Sequence, residues 1–567
     1  MTATNGAMRA NGAAGTNAGT EANPGAGTSP AAGAATGADW WRGAVIYQIY
    51  PRSFRDANGD GIGDLRGVTE RLEHVRDLGA DAVWLSPFYR SPQADFGYDI
   101  SDYCDVDPAY GTLRDFDAMV ERAHALGLKV LVDQVLSHSS DEHPWFRESR
   151  QSRDNPKSDW YVWADPKPDG SPPSNWLAQF GGVAWDWEPR RHQYYLHNFH
   201  RKQPDLNLHH PPVQEAVLDV LRFWLERGVD GFRLDVINFL FHDPALSDNP
   251  PAKLEVDDRS LAAKPVGLQR LEKNTNRPET PVFMERVRAV LDEYGGIAMG
   301  EMGSVYDRGK LIAEYTAPGR LQTAYSFELL TGEGSAAHIA AAANEALDAG
   351  GSPAWAVSNH DVARVASRWS PGDEWRAATL WSAACLSLRG PICVYQGEEL
   401  GLPQADVPFE RIVDPEGREF WPDLKGRDGC RTPMPWGGNA HAGFGTPEGT
   451  EPWLPVDPRH EDLTVERQRG VADSPLERLT RFLHWRRERP TLRLGAMRVR
   501  HEGDVLVIER DHAGERLWIA LNCSGTAASA DAPGNARDLG AGGFEGTARL
   551  EGGAARLEPW GALFAAV

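Results

Sequence analysis

The sequence predicts an α/β chain: a (β/α)8 TIM barrel, interrupted by a loop-rich insertion after its third strand and followed by a C-terminal antiparallel β-sandwich. Three observations predict it. Eight short apolar runs alternate with helical patterns from Trp40 onward, the alternation breaks between Ser139 and Leu208, and after about Leu494 it gives way to two-residue alternation. A chain of 567 residues has room for roughly two to four units of about 100–200 residues each.

Residues 1–38 are a run of Ala, Gly, Thr and Asn without the apolar core of a signal peptide. They are expected to be a disordered leader. The apolar runs are Val45–Tyr50, Ala82–Ser86, Lys129–Asp133, Gly231–Asp235, Ile297–Glu301, Gln322–Ser326, Ala354–Ser358 and Ile392–Gln396. Between them lie amphipathic stretches. Leu113–Leu126 places Phe116, Met119, Val120 and Ala123 on one helical face, and Val213–Arg227 does so with Val217, Val220, Leu221 and Trp224. The barrel is assigned to 39–138 and 208–490, with the inserted domain at 139–207. That insertion is rich in Trp, Pro, Ser and Asp, and is too long for an ordinary βα loop. A second irregular stretch, Pro403–Pro455, follows the eighth run, and Val505–Glu509 and Leu517–Asn522 mark the β domain at 491–567.

Composition excludes several partners. A formal net charge of -22 argues against nucleic acid and against an anionic membrane surface. No apolar stretch is long enough to span a bilayer. The five cysteines are odd in number and lack CxxC spacing, so neither a disulfide framework nor structural zinc is indicated. A cytoplasmic enzyme without organic cofactor, monomeric or a small homo-oligomer, is expected.

In a TIM barrel the chemistry sits where the strands end. The third run closes on Asp133 and continues to His138, the fourth ends Arg233-Leu234-Asp235, and the fifth ends Gly300-Glu301. The seventh continues to Asn359-His360-Asp361. Burying three carboxylates with an Arg and two His is costly without a task. Alternation along a strand places Arg233 and Asp235 on the same side, where the guanidinium would keep the carboxylate ionised as a nucleophile requires. Glu301 follows apolar Ile297-Ala298-Met299, a setting that would raise its pKa and suit it to donating a proton.

These four segments resemble the signature regions of the α-amylase clan, glycoside hydrolase family 13, in order and spacing. The resemblance implies that Asp235 is the nucleophile, Glu301 the general acid/base and Asp361 the third carboxylate, with His138, Arg233 and His360 around the same glucose. One departure stands out: Ser137, rather than the usual Asn, precedes His138. Gln203-Pro204-Asp205-Leu206-Asn207 is similar to the oligo-1,6-glucosidase and α-glucosidase branch, as is Asp95-Phe96-Gly97-Tyr98. By that resemblance Tyr98 stacks on the terminal glucose, while Asp95 and Arg427 pair to close the pocket and make the enzyme exo-acting. Val236 hints at α-1,6 bonds; Asn238–Pro251 and Pro281–Gly295 resemble enzymes of short α-1,4 substrates.

Asp56, Asn58, Asp60 and Asp64 alternate oxygen-bearing side chains around glycines, as in the first part of an EF-hand loop. This suits a structural Ca2+ or Mg2+, with Ile62 adding its carbonyl by resemblance; the competing reading is a self-capped polar turn. The expected activity is release of terminal α-linked glucose from maltose- or isomaltose-type oligosaccharides, with transfer to hydroxyl acceptors through a covalent intermediate on Asp235. The alternatives are a sucrose- or trehalose-acting glucosyltransferase or isomerase of the same clan, and a non-catalytic sugar-binding relative.

Overall fold

The computed structural model describes residues 39–252, 264–303 and 306–567; the leader assigned to 1–38 lies outside them. All eight apolar runs form strands: β1 (Val45–Ile49), β2 (Ala82–Leu85), β3 (Lys129–Val135), β4 (Gly231–Asp235), β5 (Ile297–Met302), β6 (Thr323–Ser326), β7 (Trp355–Ala356) and β8 (Ile392–Tyr395). They pair in parallel in the order β6-β5-β4-β3-β2-β1-β8-β7, and a parallel bridge between Ala324 and Pro353 joins β6 to the start of β7. This is a TIM barrel. Strand ends differ from the sequence expectation by a residue or two: β3 and β5 run past Asp133 and Glu301, while β2, β7 and β8 stop before the polar residue that closes the run.

The amphipathic stretches form the surrounding helices. Helix α1 (Leu65–Leu78) starts at Asp64, whose carboxylate accepts the Gly67 N–H, and stops at left-handed Gly79. Helix α2 (Leu113–Ala125) opens with a reciprocal Thr112/Asp115 capping box and buries Phe116, Met119, Val120 and Ala123. Helix α3 (Pro211–Glu226) buries Val217, Val220, Leu221 and Trp224. Each fully buried side chain of this size stabilises the fold by about 1.5–3 kcal/mol.

The inserted segment holds a short helix, Pro144–Ser149, and a three-stranded antiparallel sheet packed around Trp176 and Trp185. An antiparallel bridge between Asp205 and His138 returns its end to the mouth of β3. At the C-terminus, a five-stranded antiparallel sheet faces a three-stranded one. The alternation seen in sequence reports two buried faces rather than one buried and one solvated. Leu506, Ile508, Leu517 and Ile519 pack into the large core shared with the barrel, while Val505, Val507, Trp518 and Ala520 pack toward the second sheet. Among the described residues no helix is long and apolar enough to cross a membrane.

Candidate active site

Register builds the site. Asp133 on β3, Arg233 on β4 and Met299 on β5 are paired at one level, and one level further toward the mouth Glu301 pairs with Tyr325 on β6. Paired residues on parallel strands point to the same side, so these side chains converge inside the barrel. Arg233 is fully buried and is the hub. One of its terminal nitrogens lies 2.7 Å from both Asp133 and Asp235, and the other contacts Glu301. The Tyr325 hydroxyl accepts from Arg233 at 2.9 Å and donates to Glu301 at 3.1 Å.

Three carboxyls therefore share one guanidinium, which brings Asp235 and Glu301 beside each other. Burial pushes the Asp235 carboxyl well above its ordinary range; Arg233 opposes this, but the neighbouring Glu301 and Asp133 reinforce it. Burial likewise pushes Asp133 up to about 6 against Arg233. This differs from the sequence expectation, in which Arg233 alone kept Asp235 charged and Glu301 sat in apolar surroundings. Glu301 is in fact ringed by donors: Arg233, the Tyr325 hydroxyl and the Val236 N–H at 3.1 Å.

Asp361 is set up differently. Burial works to raise its carboxyl, but His360, Arg431 (2.9 Å) and Arg427 (3.4 Å) outweigh burial and hold it well below the usual carboxylate range. The arginines supply the positive charge, because burial holds the His360 ring neutral. Neutral His360 works as a hydrogen-bond relay. Gln48 donates to its Nδ1 at 2.7 Å, its Nε2–H reaches the Tyr98 hydroxyl at 2.5 Å, and Tyr98 donates to Asp133 at 3.0 Å. The Tyr98 and His360 rings lie 3° from parallel with centroids 5.4 Å apart, offset edge to edge by their hydrogen bond, and Tyr98 lines the cavity. His138 is also kept neutral, its pKa pushed down to about 3 by burial, and sits 3.2 Å from the Gln203 amide.

A cavity of about 340 Å3 opens above this floor, lined by Asp95, Tyr98, His138, Asp235, Glu301, Asp361 and Arg427 among others. Arg233 and His360 lie beneath the lining rather than in it, each without exposed surface. One wall is an ion-pair cluster. Arg427 bridges Asp95 and Asp414 at 2.7 Å each, with its guanidinium over the Phe180 ring at 5.0 Å. Gln203 donates to the second oxygen of Asp95 at 3.1 Å. Tyr325, Asp414 and Arg431 were not singled out from sequence. Arg431 follows Arg427 by four residues, the one available hint; Asp414 comes from an irregular loop and carried no signal.

The Asp56–Asp64 loop lies apart from this cavity. Asp56 accepts the Gly59 and Gly61 N–H groups and the Thr446 hydroxyl, Asn58 and Asp60 accept the N–H two residues on, and Asp64 accepts Ala57, Asn58 and Gly67. Among the described residues no group of three or more His, Cys, Asp or Glu is arranged to hold a metal ion. The loop's oxygens are engaged as successive Asx turns, although a carboxylate bonded this way retains lone pairs.

The alpha amylase catalytic-domain family matches residues 48–495. A probable alpha-glucosidase of Rhizobium meliloti (strain 1021) is 50% identical over 539 residues, covering 93% of this chain and 97% of that protein. An oligo-1,6-glucosidase of Heyndrickxia coagulans is 37% identical over 552 residues, covering 90% and 96%. The crystal structure of an alpha-glucosyl transfer enzyme, XgtA, superposes with a TM-score of 0.89 at 50% identity, covering 93% of this chain and 99% of that one. With the carboxylate floor and the match spanning the barrel, the chain belongs to the alpha-amylase family of glycoside hydrolases, in its α-glucosidase and oligo-1,6-glucosidase branch, and acts on α-glucosides.

Proposed function

We propose that the enzyme is an exo-acting, retaining α-glucosidase that removes terminal glucose from short oligosaccharides and transfers it to hydroxyl acceptors. The observation that carries this is the convergence of Asp235 and Glu301, from neighbouring strands, on Arg233 at the floor of the cavity. The reactive form has Glu301 protonated and Asp235 ionised. Positive charge developing at the anomeric carbon favours it by stabilising the ionised Asp235.

Asp235 attacks the anomeric carbon while Glu301 gives its proton to the departing glycosidic oxygen. The bond from sugar to leaving group breaks as the bond to the Asp235 oxygen forms. Glu301, now ionised, takes a proton from water or from a sugar hydroxyl, and that oxygen displaces Asp235 with net retention. Hydrolysis and transfer differ only in the incoming oxygen; resemblance to glucosidases supports the first and resemblance to an alpha-glucosyl transfer enzyme the second. Asp361, held ionised, accepts hydrogen bonds from glucose hydroxyls, and Tyr98 offers its ring to the sugar. The Asp95–Arg427–Asp414 cluster closes the end beyond that glucose, so a chain cannot continue past it.

The three carboxylates, amide and Ile62 carbonyl of the Asp56–Asp64 loop form a hard-oxygen donor set, and we assign to it a structural Ca2+ or Mg2+ remote from the chemistry. The function is tested by incubating the protein separately with maltose, isomaltose, sucrose and trehalose. Glucose release from maltose or isomaltose, with new oligosaccharides at high substrate, supports the proposal. Turnover confined to sucrose or trehalose refutes it.

A further inference from the structure

Three consecutive residues after Asp235 all touch the end of β5, where Glu301 sits. The Val236 N–H donates to Glu301 at 3.1 Å. The Ile237 side chain packs so closely on Gly300 that a Cβ there would lie 2.5 Å from Ile237 Cδ1. The Asn238 side-chain oxygen accepts the Gly303 N–H at 3.2 Å. Asn238 is 1% exposed, and its own carbonyl accepts the Asn276 N–H at 2.8 Å, which anchors the turn from the far side.

The backbone shows what this arrangement costs. Val236 has φ 34° and ψ 51°, the left-handed region that a β-branched side chain enters only with strain, of order 1–3 kcal/mol. Such a conformation persists only where its surroundings over-determine it. Here the anchors on either side are the Asp235 strand and the Asn238–Gly303 bond. The N–H of residue 236 is oriented by the end of β4, and the left-handed turn that follows brings Ile237 and Asn238 back onto the end of β5.

We infer that Asn238 is a positioning residue: by clamping the Val236–Asn238 turn onto Gly303, it fixes Glu301 relative to Asp235 for proton donation to the leaving oxygen. This rests on Glu301 being the acid of the proposed mechanism. Asn238 does not line the cavity, so it acts through the turn rather than on the sugar.

The test separates acid catalysis from binding and from folding. Maltose has a poor leaving group that needs a proton; α-glucosyl fluoride has a good one and needs little help. Asn238→Ala should lower kcat on maltose by about 10- to 100-fold, the range expected when a catalytic group is misplaced by about an ångström. Its kcat/KM on α-glucosyl fluoride, which reports only formation of the glucosyl-enzyme and not the later step that needs Glu301 as base, should stay within about twofold of the parent, while kcat/KM on maltose falls with its kcat. Asn238→Ser, which retains a shorter acceptor, should fall between. Glu301→Gln is the reference, and should itself show the same selective loss on maltose. If Glu301→Gln shows no such selectivity, the assignment of the acid fails. If it does, and the Asn238 variants lose both substrates in proportion or neither, the positioning role is overturned.

Discussion

Arg427→Met removes the cation that three buried carboxylates share while keeping much of the side chain's apolar volume. In the parent, burial works to raise the Asp414 carboxyl, but Arg427 and Arg431 outweigh it and hold it down to about 2 from an ordinary 3.8. That displacement alone corresponds to about 2 kcal/mol at neutral pH. Asp95 keeps the Gln203 amide and Asp361 keeps Arg431, so the loss falls chiefly on Asp414 and Asp95. Breaking a buried pair on one side costs about 3–5 kcal/mol, and the variant should lose that much at pH 7.

The pH dependence follows from the direction of the shift. In the parent, a depressed carboxyl contributes stability that is complete above the unfolded value near 4 and is lost only as pH falls through about 2. In the variant, burial without Arg427 drives the carboxyl upward, so the folded state takes up a proton the unfolded state does not. Stability of the variant should therefore rise from pH 7 to pH 5, while this group leaves the parent flat. Urea unfolding followed by the fluorescence of the 20 tryptophans at both pH values measures it. A variant within about 1 kcal/mol of the parent at pH 7, with no relative gain at pH 5, would refute the reasoning.

Other outcomes follow from the same contacts. Tyr325→Phe leaves two Arg233 nitrogens and one Glu301 oxygen short of a partner, and should cost about 1–3 kcal/mol of stability and lower kcat on maltose roughly tenfold; an unchanged kcat would contradict the place given to this hydroxyl. Asp95→Ala opens the end wall, so the first products from maltotetraose should include maltose ahead of maltotriose, and an unchanged initial mixture of glucose and maltotriose would show that the wall does not set exo action. Prolonged exposure to a chelator should lower the melting temperature, with recovery on adding Ca2+ or Mg2+. An unaffected melt would leave the Asp56–Asp64 loop as a self-capped turn.

Much of this was legible in the sequence for a physical reason. Parallel strands buried on both faces read as apolar runs, so a polar residue closing such a run, as Asp235 and Glu301 do, stands out. Strand alternation was enough to put Arg233 beside Asp235. What escaped notice came from long-range geometry. Tyr325 looks like an ordinary strand aromatic until β5–β6 register sets it against Glu301. Asp414 enters from an irregular loop with no periodicity to mark it. The environment of Glu301 was misjudged because Ile297–Met299 are neighbours in sequence, whereas its surroundings in space are Arg233, Tyr325 and the N–H of a strained Val236. The alternating C-terminal strands marked an antiparallel β domain, but two-residue periodicity cannot tell a second core from solvent, and both faces are buried.

The central claim is that Asp235 forms a covalent bond to glucose. A fluorinated α-glucosyl fluoride, whose ring fluorine slows release of the intermediate, should leave the protein heavier by one fluoroglucosyl group. Peptide mass spectrometry should place that group on Asp235, and Asp235→Asn should abolish it. A label on Glu301 or elsewhere, or β-glucose as the first product from maltose with no adduct, would contradict it.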